Sequence, residues 1–178
     1  SVNPIGITTG GAAITITSPS IDASSTTIDT RSASNVVTSG VVTLTTTGTG
    51  SAGNLVVGNI ITTGASAAAS SDGQGGNAGN ITLTASGSSL TVSGAISARA
   101  GAADGSGAAG IDGTVKLIAA AGQVLQANGS GTNAINAGGL LVDAGLAVTL
   151  LDTGNNISRL SGRVSGTGEE FKFASSNA

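Results

Sequence analysis

Short runs in which aliphatic and hydroxyl side chains alternate recur along this chain. Ile14-Thr15-Ile16-Thr17, Val42-Thr43-Leu44-Thr45, Ile81-Thr82-Leu83-Thr84 and Val115-Lys116-Leu117-Ile118 share one pattern, with Val148-Thr149-Leu150 as a later candidate. Alternation of this kind marks a strand with one buried face. A second kind of run follows each: Ile21, Leu55-Val56-Val57, Leu90-Thr91-Val92 and Val124-Leu125. A third kind is shorter and leads into Gly or Ala: Ile7-Thr8-Thr9-Gly10, Ile28-Asp29-Thr30, Ile61-Thr62-Thr63-Gly64, Ile96-Ser97-Ala98 and Ile135-Asn136-Ala137-Gly138. The order first, second, third repeats down the chain. Its last quarter is open to two readings, because Leu140-Leu141-Val142 also suits a first strand.

With insertions removed, each unit spans roughly 20 residues, near the period of a parallel β-helix coil. Turn residues sit where corners are needed, at Gly53-Asn54, Gly58-Asn59, Gly87-Ser88-Ser89 and Gly94-Ala95. The expectation is an all-β fold, a single-stranded parallel β-helix (β-solenoid) of about five to six coils. It forms one segment, 1–178, with 113–178 as less regular C-terminal coils. Coils stacked at about 4.8 Å make a rod roughly 25–30 Å long. Stacked Val, Ile, Leu and Ala fill its narrow interior, where bulky rings would not fit.

The longer connections, Arg31–Gly40, Gly64–Gly79 and Gly101–Gly113, all run from a third strand to the next first strand. They therefore leave from one corner of successive coils. Ala65–Ser71 and Ala100–Gly113 are read as loops rather than helices, because interior Gly costs about 1 kcal/mol relative to Ala. Insertions on one face of a repeat protein often form its binding face. A corner that merely tolerates insertion is the simpler reading, since length adds little cost and Ala, Ser and Gly offer few anchors.

Composition sharpens this picture. Phe171 and Phe173 are the only aromatic residues, and Trp, Tyr, Met, His and Cys are absent. Charged residues make up 8% of the chain, far below a typical soluble domain. The positive mean hydropathy of +0.33 and the regular aliphatic runs exclude a disordered linker. Pro occurs only at Pro4 and Pro19, and Gly has no three-residue period, which excludes collagen. A net charge of −3, thinly spread cations and no stacking platform weigh against nucleic acid. No apolar run reaches the ~20 residues of a spanning helix, so membrane insertion is not expected. The opening Ser-Val-Asn-Pro reads as an excised or processed piece, and the absence of Cys suits either a reducing compartment or a chain that crosses a membrane unfolded.

Enzymatic chemistry finds no assembly of groups, and no catalytic, cofactor-binding or metal residue is assigned. Asp22 and Asp29 fall on second and third strands of one coil, while Asp143 and Asp152 lie far along. Glu169 and Glu170 would point to opposite faces if they sat in a strand. There is no His for general base work. For calcium, Asp72-Gly73-Gln74-Gly75-Gly76-Asn77 and Gly110-Ile111-Asp112-Gly113 each offer one carboxylate against the six to eight oxygens needed. Gly105-Ser106-Gly107 lacks the Lys-Ser/Thr of a phosphate loop. Thr15/Thr17, Thr43/Thr45 and Thr82/Thr84 suggest a stacked array of the ice-binding kind. It is broken by Lys116 and Ile118, and Thr ladders also stabilise sheets without any ligand.

Phrases such as Gly79-Asn80-Ile81-Thr82-Leu83-Thr84 resemble those of the filamentous-haemagglutinin family of adhesins. Gly154-Asn155-Asn156-Ile157-Ser158-Arg159-Leu160, Val164-Ser165-Gly166 and Phe171-Lys172-Phe173 are similar to its recurrent blocks. The resemblance implies a right-handed parallel β-helix, exported unfolded through an outer-membrane two-partner transporter. It further implies an extracellular place on the bacterial cell surface, as adhesin, biofilm component or stalk. The partners implied are a host or bacterial cell-surface glycan or protein, with self-association as a further option. The family's secretion domain is not recognisable, so an interior stretch is expected.

Overall fold

The computed structural model describes residues 6–68, 73–127, 129 and 131–176. Their strands are β1 (Gly6–Thr8), β2 (Ile14–Ser18), β3 (Ile21–Asp29), β4 (Val42–Thr49), β5 (Leu55–Ile61), β6 (Ile81–Gly87) and β7 (Leu90–Val92). The chain continues with β8 (Ile96–Ala98), β9 (Thr114–Ala119), β10 (Val124–Gln126), β11 (Ile135–Ala144), β12 (Val148–Leu150), β13 (Asn156–Val164) and β14 (Phe171–Phe173). All the pairings between them are parallel. Each strand pairs with its counterpart one coil away, which makes the fold a parallel β-solenoid.

Three stacks of strands bound the interior. The first places Ile14, Val42, Ile81, Val115, Leu140 and Leu160 in one column. Beside it stand Ile16, Leu44, Leu83, Leu117, Val142 and Gly162. The second stack aligns Ile21, Leu55, Leu90, Val124, Val148 and Phe171. The third aligns Ile7, Ile28, Ile60, Ile96 and Ile135. Leu44, Leu83, Leu117, Leu55, Leu90, Ile60, Ile96 and Ile135 are fully buried. Each such side chain contributes about 1.5–3 kcal/mol of transfer free energy. These columns make five complete coils, preceded by β1 and followed by the first- and second-stack strands of another.

Three expectations are corrected. Ile60 rather than Ile61 takes the third-stack column with Ile28 and Ile96, and Ile61 pairs with Asp29 and Ser97. Val148-Thr149-Leu150 is a second-stack strand, since Val148 pairs with Val124, and Leu140-Leu141-Val142 takes the first-stack place. The reason is a corner without an insertion: β11 runs unbroken from third stack to first through Gly138 and Gly139. Rings also enter the interior columns. Phe171 and Phe173 stand over Val148 and Leu150 on the last coil. Space for them comes from Gly162, where a Cβ would collide with the Phe171 ring.

The three insertions do leave from one corner, between the third and first stacks, and they are ordered as layered arms rather than independent loops. Thr62, Gly64 and Ala67 donate their amides to the carbonyls of Ser97, Arg99 and Ala102. The returning arms continue the stacking, with Ser39 N–H to Asn77 O and Ala78 N–H to Ile111 O. Outgoing and returning arms cross-link at Gly76 N–H to Ala65 O, Gly101 N–H to Gly76 O and Gly110 N–H to Gly101 O. At the base, buried Thr30 and Thr62 donate their hydroxyls to Gly40 O and Gly79 O at 2.6 and 2.7 Å. Such close approach needs glycine: a Cβ on Gly101 would fall on the Ala65 carbonyl, and one on Gly64 on that of Gly76. The expectation for Ala65–Ser71 is met over 65–68, and 69–71 lie outside the described residues.

Candidate functional site

The carboxylates weighed from the sequence stay apart. Asp22 holds the Ser24 N–H and hydroxyl in a local turn. Asp143 sits on the outer face of β11 and takes a forked pair of bonds from Arg163, Nε at 3.0 Å and Nη2 at 2.8 Å. Glu169 and Glu170 precede β14 rather than lying in it, and Glu170 pairs with Lys172. Asp112 is bonded by Arg99 Nη1 at 2.7 Å and by the Ala100 N–H. Asp72 is outside the described residues. Among the described residues no group of three or more His, Cys, Asp or Glu side chains is placed to hold a metal ion.

The Thr array is in register. Thr15, Thr43 and Thr82 form one outward column and Thr17, Thr45 and Thr84 another, ending at Lys116 and Ile118.

Inside the fourth and fifth coils lies a polar cluster that sequence reasoning missed. Asn155 follows Ile7, Ile28, Ile60, Ile96 and Ile135 down the third stack and is fully buried. Its Oδ1 accepts from the Ile135 N–H and Gln126 Nε2, each at 2.8 Å, and its Nδ2 donates to Gln126 Oε1 and Ala174 O. Buried Asp152 accepts from the backbone amides of Gly131, Asn133 and Gly154. No buried side-chain N or O is left without a hydrogen bond among the described residues. The only available signal was register: counting from Ile135 puts Asn155 at an interior position. Asn155→Ala is expected to cost about 2 kcal/mol by stranding the Ile135 amide and the Gln126 side chain, read as a lowered urea midpoint.

A groove opens at the insertion corner. Arms of the second and third complete coils stay laddered as far as Ala67 and Ala102. Between the first and second, the ladder stops at Thr30 N–H to Ile61 O. Beyond that point the Ser39 hydroxyl is interposed, accepting from the Ser32 N–H at 3.0 Å and donating to Thr63 O at 2.7 Å. The arms part there, leaving a groove of about 550 Å³ bordered by Thr8, Asp29, Arg31, Ser32, Thr63 and Ser66. Asp29 and Arg31 form a local pair at 2.5 Å, with the Arg31 side chain 53% exposed.

The Arg31 hydrogen bonds hold the Asp29 carboxyl below the ordinary carboxylate range, against the opposing pull of partial burial. Arg163 lowers Asp143, the Ser24 hydroxyl and amide lower Asp22, and Lys172 lowers Glu170. Carboxylates depressed in the folded state stabilise it above their unfolded values, and that contribution is lost as pH falls through the folded ones. With no His in the chain, the melting temperature is expected to stay flat from about pH 7 to 5 and to fall below about pH 4. A melting series in buffers of matched ionic strength checks this.

The geometry at this corner is a polar, hydroxyl-lined groove on a rigid scaffold, with one ion pair on its wall and no acid–base or metal assembly beside it among the described residues. The chain matches no family model, no curated protein and no solved structure.

Proposed function

We propose that this chain is a stiff adhesive segment of a large secreted bacterial surface protein of the filamentous-haemagglutinin type. The observation that supports the reading is continuous stacking: three parallel strand ladders run from Ile7 to Phe173, with register shifts between Ala23 and Thr27 and between Thr46 and Thr49. A rod built this way holds its outward Ser, Thr and Asn side chains at fixed spacing and carries material at its tip away from a cell. Its partners are cell-surface glycans or proteins, met through many weak contacts whose combined strength exceeds any one of them. During export the partner is the outer-membrane transporter.

Beads coated with the chain test this reading. Adhesion to cells that rises steeply with coating density is the expected result, and no adhesion at any density overturns it. A second reading, a self-associating filament subunit, draws on the last coil, where Leu160 occupies an interior column yet is 44% exposed. Light scattering across a concentration series separates the two, since a strict monomer counts against filaments.

A further inference from the structure

We infer that the groove between the first two insertion arms is a saccharide-binding site, with Arg31 and the Thr63 amide as its directional donors. The inference rests on the adhesive reading and assigns that role to one place on the surface.

Thr62 and Gly64 turn their amides toward Ser97 and Arg99 on the following coil. Alternation along an extended chain sends the amide and carbonyl of Thr63 to the opposite edge. The carbonyl is met there by the Ser39 hydroxyl. The Thr63 N–H has no hydrogen-bond partner among the described residues. An amide left open in a groove is a donor awaiting an acceptor.

Arg31 adds to the surplus of donors. Its Nε and Nη2 are held by Asp29, which fixes the plane of the guanidinium, and Nη1, in a side chain that lines the groove, has no hydrogen bond to a described residue. Thr8, Ser32, Thr63 and Ser66 line the same groove, the Ser32 and Ser66 hydroxyls accepting from the Ser34 and Ala102 amides. The lining contains no aliphatic side chain larger than Ala and no ring, so an apolar ligand finds nothing to bury against.

The donor surplus also decides between polar ligands. A peptide strand added at this edge would need alternating free amides and carbonyls. The carbonyls of Thr63 and Ala65 are already taken, by Ser39 and by the Gly76 amide. A saccharide presents ring, glycosidic and hydroxyl oxygens in many directions and needs no such alternation. The groove's size, about 550 Å³, lies within the range of small-ligand sites. Binding at a single site is weak, because no ring is present for a sugar to stack on. Repetition of the chain on a surface raises it to useful strength.

An immobilised panel of short oligosaccharides, one set neutral and one bearing uronic acids, is the probe. The intact chain is compared with Arg31→Ala, Arg31→Lys and, as a distant control, Lys172→Ala. The expected result is binding to at least one set, weakened tenfold or more by Arg31→Ala and partly kept by Arg31→Lys. Lys172→Ala should leave it unchanged, and each variant should give a cooperative thermal melt that shows it folded at the assay temperature. Selection of the uronic set alone assigns a carboxylate to the guanidinium, and binding of both sets assigns hydroxyl recognition. No binding by the intact chain, or equal binding by Arg31→Ala, overturns the site. Coated beads that still adhere to cells in that event leave the adhesive reading standing, whereas failure of both removes it.

Discussion

Leu83→Asp is expected to abolish folding, and Leu83→Ala to lower stability by about 2–5 kcal/mol. Leu83 is fully buried, with Leu44 in the coil before it and Leu117 in the coil after. Truncation would leave a cavity that two rigid neighbours cannot close, because their positions are fixed by the same backbone ladder. A carboxylate there has no partner within the aliphatic column, and an unpaired buried charge costs more than a domain's typical margin of roughly 5–15 kcal/mol can absorb. The adjacent residue provides the contrast. Thr82 points outward from the same strand, and Thr82→Ala should stay within about 0.5 kcal/mol of the parent. Urea unfolding of the three variants reads the difference directly. Equal losses at Leu83 and Thr82 would mean that the strand's inside and outside have been exchanged.

The second large effect is expected at Gly101. It is buried where three segments meet, donating to Gly76 O and accepting from the Gly110 N–H, with the Ala65 carbonyl against its α-carbon. Gly101→Ala places a methyl group on backbone, which cannot rotate away as a side chain would. The arms must separate. Losing three cross-links at about 1 kcal/mol each corresponds to roughly 100-fold faster local amide exchange. The amides of Gly64, Gly76, Gly101 and Gly110 should show it, while those of Leu83 and Leu117 keep their protection. Hydrogen exchange followed by NMR resolves the two sets. Unchanged exchange at the four glycines would show that the arms do not depend on one another.

Much of this architecture was legible in the sequence, for a physical reason. The interior columns are continuous and aliphatic, so Ile16, Leu44, Leu83 and Leu117 could be aligned from alternation alone, and the structure places them in one stack. The common corner for the three insertions followed from that alignment. The assignment of Val148-Thr149-Leu150 failed where the corner shrank to Gly138 and Gly139, because nothing in composition separates two strands joined without a turn sequence. The groove was hidden for a different reason. It depends on one hydroxyl, that of Ser39, standing between two arms, and no pattern of residue types marks a serine as a spacer. The polar cluster around Asn155 was equally silent, since Asn in Gly154-Asn155-Asn156 reads as an ordinary turn until register places it inside.

Arg99 gives the stack a reach beyond adjacent coils. Its Nη2 bonds Asn156 O at 2.6 Å while its Nη1 holds Asp112. Gly138, which follows Arg99 in the column, has no side chain there, and a Cβ on it would collide with Asp112. In a purely nearest-neighbour array, fraying at one end would be felt only by the next layer. Here the guanidinium ties the start of β13 to the third complete coil, so detaching the last layers also breaks an anchor two layers down. Loss of those layers thereby becomes a more concerted event than the repeat pattern alone would dictate.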